Sequence, residues 1–176
     1  MYKIFYILSL LSVQLLASHY SNTIIDIESK LFPKIALLEE QIKQDKSKYL
    51  TIIIVANETD DYIAQEFKEK LLFYYPNEIS GKKLTISIRN LNKIRNKKPD
   101  AIIVLNHTPK ELKKIALWAN THRILSFSYD TYALEYGIVA SIHIGRSIKP
   151  YFNSNPIKKY GFIFDSYLLN LSKFIK

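Results

Sequence analysis

A chain of 176 residues in which 48% are hydrophobic has the size of one ordinary domain and enough apolar material to bury a core. It carries 25 Lys and Arg against 16 Asp and Glu, a formal charge of +9, which bears on solubility and partners and says nothing of fold. Cysteine is absent, which excludes disulfides, thiolate metal sites and a lipid-anchored cysteine.

Taken in chain order, Met1-Tyr2-Lys3 supplies one positive charge, and the run from Ile4 to Leu16 is apolar except for Ser9, Ser12 and Gln14. Ala17-Ser18 follows as a small-residue cleavage site. This order reads as a secretory signal over residues 1–17, with residues 18–176 as the mature domain, because the apolar run is shorter than the roughly 20 residues a bilayer span needs. An uncleaved N-terminal anchor is the alternative. Export argues against nucleic acid as a partner, so the basic clusters at Lys82-Lys83, at Lys93, Arg95, Lys97 and Lys98, and at Lys158-Lys159 suit an acidic protein surface, anionic head groups or plain solvation.

Ile24, Ile27, Leu31, Ile35, Leu38 and Ile42 recur at three- and four-residue spacing and predict an amphipathic helix, kinked or restarted at Pro33. Thr51 to Ala56 is a continuous β-branched run, the pattern of a strand buried on both faces. Thr59-Asp60-Asp61 then caps and charges a predicted helix that buries Ile63, Phe67, Leu71 and Tyr74. Leu84 to Ile88 alternates as a strand after a turn bracketed by Pro76 and Gly81, and Ala101 to Leu105 is a second fully buried strand pattern. Thr108, Pro109 and Glu111 form a capping box with proline at the first helical position, opening a helix through Leu112, Ile115, Ala116 and Trp118. Further strands are expected over Ile124 to Ser128 and Ile138 to Ile144.

Buried strand patterns separated by helices predict an α/β fold: a single three-layer domain with a mostly parallel central sheet flanked by helices. In such sheets ligands gather beyond the carboxyl ends of the strands. Asn57, Asn106, His107, Ser128 and Asp130 follow the first, third and fourth buried strands, and they would line one shallow crevice for a small molecule if those strands are neighbours. Helix caps and the ordinary polarity of strand ends account for the same residues without a ligand.

Catalytic chemistry finds no constellation. Ser126 and Ser128 lack the Gly-x-Ser-x-Gly elbow, the four glycines form no phosphate loop, and no cofactor motif is present. His19, His107, His122 and His143 show no ligand spacing to one another or to carboxylates, so no metal site is expected. Tyr129, Tyr132 and Tyr136 lie in one connecting segment, and Phe152 stands close to a strand end. These four are candidates for an apolar partner-binding surface, with packing of the loop onto the core as the equal alternative.

From Tyr136-Gly137 the chain runs through Pro150-Tyr151-Phe152-Asn153 to Tyr160-Gly161 and then Ser166-Tyr167-Leu168-Leu169-Asn170-Leu171. The residues Gly137, Asn153, Gly161, Leu168 and Leu169 at this spacing resemble the YfiR-like (HmsC-like) family of periplasmic proteins, over about forty residues as motif and about one hundred and thirty as layout. The resemblance implies a non-enzymatic periplasmic regulator that binds the sensor region of an inner-membrane protein, typically a diguanylate cyclase, and represses its output. Two features depart from that family: Phe32-Pro33 stands where a Trp-Pro is usual, and the cysteines that give redox sensing are missing. A second likeness is to one lobe of the substrate-binding proteins of ABC uptake systems. Two lobes need roughly twice this length, and the interval from Gly137 to Asn153 is short for the long helix such lobes place there. Exposed sheet edges and 13 tyrosines also leave a homodimer open.

Overall fold

The computed structural model of the protein describes residues 21–96 and 98–175. The expected leader, His19 and Lys97 lie outside the described residues. The elements are α1 (Asn22–Ala36), α2 (Glu40–Gln44), β1 (Tyr49–Val55), α3 (Asp61–Tyr74), β2 (Lys83–Arg89), β3 (Ala101–Val104), α4 (Pro109–Thr121), β4 (Leu125–Ser128), β5 (Ala140–Ile144), β6 (Ile148–Asn153), α5 (Ser154–Tyr160), α6 (Ser166–Leu171) and β7 (Lys173–Ile175). Short 3-10 turns over Glu58–Asp60, Leu91–Asn96 and Thr131–Tyr136 join them.

The seven strands form one sheet in the order β2-β1-β3-β4-β5-β6-β7. The first five are parallel, β6 runs antiparallel to β5, and β7 runs parallel to β6. The fold is therefore α/β with a mostly parallel central sheet between helical layers. Its inner strands are covered on both faces, which is why β1 and β3 read as unbroken apolar runs. Ile52 and Ile54 point into one core with α1 and α3, whereas Ile53 and Val55 point into the other with α4. On the first face Phe32 stacks on Phe127 at 4.6 Å and on Phe67 at 6.3 Å.

The helix ends show where local signals hold. Thr108 and Glu111 form the capping box reciprocally: the Thr108 side chain accepts the Glu111 N–H and the Glu111 carboxylate accepts the Thr108 N–H. Three local expectations are corrected. The helix does not restart at Pro33; Pro33 lies inside α1 and is buried with Phe32, and the break comes after Ala36. The aromatic packing of Phe32 outweighs the single backbone hydrogen bond a proline removes there. Thr59 does not cap α3, because Glu58–Asp60 forms a 3-10 turn and the position before α3 is Asp60, which makes no side-chain cap; Asp61 still places a charge in the first turn. Tyr74 is half-buried, its hydroxyl donating to Asp26. Among the described residues no helix is long and apolar enough to cross a membrane.

Candidate functional site

The order β2-β1-β3 sends the chain out from β1 on one side and back to β3 on the other, so the crevice between β1 and β3 is a topological switch point. The loops that leave β1 and β3 meet there: Asn57 Nδ2 donates to Asn106 O at 3.0 Å. Two adjoining hollows open beside this bridge. One of about 330 Å³ is lined by Asn57, Glu58, Thr59, Asn90, Leu91, Asn92 and Glu111. The other, of about 210 Å³, shares Asn57, Glu58 and Asn90 and adds Asp61, Arg89 and Lys93.

The lining carries both charges. Glu58, Asp61, Arg89 and Lys93 line the smaller hollow, Glu58 and Glu111 the larger, and Asn90 lies in the wall common to both. Asn90 Oδ1 is buried and has no hydrogen-bond partner among the described residues, an unusual state for a buried amide. The Thr108 hydrogen bonds hold the Glu111 carboxyl below the ordinary range, so it faces the hollow ionised.

The residues expected in the crevice divide. Asn57 and Asn106 lie at the switch point, and β1, β3 and β4 are neighbours in the sheet. His107 turns inward: it is 7% exposed, its Nδ1 lies 3.1 Å from Leu105 O, and its Nε2 is unpartnered among the described residues. Since a carbonyl only accepts, Nδ1 is the donor in this contact. Ser128 is buried and bonds Val104 O at 3.2 Å, so it is removed from the crevice as a correction to the sequence reading. Asp130 Oδ1 accepts the Tyr132 N–H at 2.9 Å, a local cap. Glu58, which also follows the first strand, lies in both hollows. Arg89, Asn90, Lys93 and Glu111 were not foreseen there; the end of the Leu84 to Ile88 run would have pointed to Arg89 and Asn90 had the strand order been readable.

The aromatic candidates divide too. Tyr132 is 47% exposed and meets Tyr136 edge-on at 4.9 Å, and their hydroxyls share a hydrogen bond that pushes the Tyr136 phenol up to about 12. Tyr129 is half-buried against the core, its oxygen accepting the Ser21 N–H at 2.8 Å. Phe152 is 0% exposed, 4.9 Å from the Phe164 ring, and cannot offer surface to a partner; it is a core residue. The motif residues serve the fold: Gly137 and Gly161 take left-handed φ of 98° and 72°, Asn153 caps α5 and donates to Leu134 O at 2.6 Å, Leu168 is buried, and Leu169 packs against the core half-buried.

A larger hollow of about 500 Å³ opens at the opposite, amino edge of the sheet, lined by Gln41, Asp45, Lys98, Asp100, His122 and Arg123 among others. Its polar groups are largely engaged. Asp45 accepts from Ser47 N, Asp100 from Thr51 N at 2.7 Å, His122 bonds Trp118 O, and Arg123 donates to Gly161 O at 2.6 Å. The carboxyl edge is therefore the better candidate despite its smaller volume. Among the described residues no three His, Asp or Glu gather as a metal site.

No family model and no curated protein matches the chain. Solved structures do match in fold. They include a conserved domain protein of Vibrio cholerae O1 biovar El Tor, with TM-score 0.60 and 13% identity over 86% of this chain and 60% of that one. An ABC domain from Streptococcus pneumoniae in complex with L-Trp matches with TM-score 0.55 and 17% identity over 80% of this chain and 60% of that one. A ligand-free, open substrate-binding protein with adhesive properties from Clostridium difficile matches with TM-score 0.55 and 12% identity over 83% of this chain and 59% of that one. The chain thus spans about three fifths of the length of each of these proteins.

Proposed function

We infer that the protein is a non-enzymatic binding module that takes a small polar ligand at the carboxyl edge of its sheet, between the loops that leave β1 and β2. The observation that carries this reading is the wall shared by two hollows beside the switch point, where Asn90 Oδ1 is buried without a partner among the described residues and side chains of both charges line the space. The distant fold likeness to two proteins described as an ABC domain with L-Trp and as a substrate-binding protein supports it. Charges of both signs on one rim suit a ligand that is itself zwitterionic or rich in hydrogen-bond donors and acceptors. Native mass spectrometry of the purified protein, followed by thermal-shift screening with amino acids, sugars and polyamines, tests the reading. A bound compound whose affinity falls about tenfold in Asn90→Ala, the loss of one or two hydrogen bonds, agrees with it; a compound indifferent to Asn90, Arg89 and Glu111 contradicts it.

The exposed Tyr132, resting edge-on against half-buried Tyr136, favours a second reading, the YfiR-like periplasmic regulator of an inner-membrane sensor such as a diguanylate cyclase. Aromatic side chains with a polar tip are common interface material. A pull-down from solubilised membranes with wild type and Tyr132→Ala tests it: recovery of one membrane sensor by wild type alone agrees, and equal recovery contradicts it.

A further inference from the structure

β2 is an edge strand of seven residues, and among the described residues nothing pairs with its outer side. Its inner side is fixed by two hydrogen bonds: Lys83 N donates to Lys48 O at 2.8 Å, and Arg89 O accepts from Ala56 N at 3.1 Å. In a strand the N–H and C=O of alternate residues face the same neighbour. Lys83, Thr85, Ser87 and Arg89 therefore face β1, and Leu84, Ile86 and Ile88 turn their backbone N–H and C=O groups to the free edge. The Ile88 carbonyl already accepts from Arg89 Nη1 at 2.9 Å, and the remaining groups form a template for one more strand.

The charges around the edge decide what strand it accepts. At its amino end lie the exposed Lys46, Lys48 and Lys83, and at its carboxyl end Arg89 and the exposed Lys93. Glu58 and Asp61 share a hollow with Arg89 and Lys93 and balance that end in part. A second copy paired antiparallel along β2 would bring basic ends together, with Lys83 opposite Arg89 of the second copy in a pairing centred on Ile86. Like charges placed directly across strands destabilise such a ladder. An extended segment with acidic residues at its ends meets the opposite situation.

We propose that the free edge of β2 is a docking strand for an extended, acid-flanked segment of a partner protein, held by the outward N–H and C=O groups of Leu84 and Ile86, by the Ile88 N–H, and by Lys83 and Arg89 at the ends. Backbone pairing supplies affinity, and the flanking cations select the partner. The carboxyl end of this surface shares Ile88, Arg89 and Lys93 with one small-ligand hollow, whereas Leu84, Ile86 and Lys83 lie outside both hollows, so a Lys83 variant tests the edge separately from that reading.

The test uses the full chain and a fluorescent peptide, Asp-Glu-Val-Thr-Val-Thr-Val-Glu-Asp, followed by anisotropy at low and high salt. A lysine-flanked peptide and one with proline at the central valine serve as comparisons. The proposal predicts binding of the acid-flanked peptide alone, about tenfold weaker in Lys83→Glu and in high salt. It also predicts slowed hydrogen exchange at the Leu84, Ile86 and Ile88 amides, a readout that needs no variant. Absence of binding, equal binding of the lysine-flanked peptide, or protection confined to other amides overturns it, as does self-association through β2 at low concentration.

Discussion

Glu39 Oε1 lies 3.6 Å from Arg123 Nη2, joining two residues from opposite halves of the chain at the amino edge of the sheet. Glu39 is 2% exposed and also accepts Ile163 N–H at 3.3 Å and Ile42 N–H at 3.1 Å, while Arg123 donates to Gly161 O. One buried carboxylate thus fastens the turn after α1, the turn after α4 and the segment between α5 and α6. Glu39→Ala removes all of these at once and strands buried donors, so chemical denaturation should show a loss of about 2–4 kcal/mol.

Arg123 holds this clamp with φ 52°, in the left-handed region where glycine is at ease. Both Arg123→Ala and Arg123→Gly lose the guanidinium, but only glycine relieves the backbone. The glycine variant should be the more stable of the two by about 1 kcal/mol, measured by urea titration.

Gly137 and Gly161 separate backbone strain from crowding. A Cβ at Gly161 meets open space, whereas one at Gly137 would stand 3.3 Å from Ala116 Cβ. Gly161→Ala should cost about 1 kcal/mol, the left-handed penalty alone. Gly137→Ala should cost more, about 2–3 kcal/mol, because α4 must also shift. Thermal melts of the two variants check the order.

Glu28 is fully buried on α1, and neither carboxylate oxygen has a partner among the described residues. Burial first, and then the charge of Asp130, raise its pKa well above the ordinary range. The folded state therefore keeps a proton that the unfolded state releases from about pH 4.5 upward, and this group lowers stability as pH rises through that window towards the folded pKa. Glu28→Leu removes the ionisable group and its unmade hydrogen bonds. The variant should gain about 1–3 kcal/mol near pH 8 and less near pH 5, read as Tm against pH. An equal gain at both values would show that ionisation of Glu28 is not the cause.

Much of the architecture was legible in the residues because the signals were local. The β-branched runs from Thr51 and Ala101 announce buried strands, and Thr108 with Glu111 announces the start of α4. Strand order is set by which surfaces bury each other and leaves no periodicity, so β2 beside β1 could not be read, and with it the place of Arg89 and Asn90. Three-residue β7 carries too little pattern to register. Phe152 reads equally as core or surface because an aromatic at a strand end serves both, and its burial against the rings of Phe164 and Phe174 decides for the core.

The most direct test of the small-ligand reading is an amide chemical-shift titration of the protein with the best hit of the thermal-shift screen. The account predicts shifts confined to Asn57, Glu58, Thr59, Asn90, Leu91, Asn92 and Glu111 at the carboxyl edge. Shifts centred on Gln41, Asp45, Asp100, His122 and Arg123 at the amino edge would contradict it.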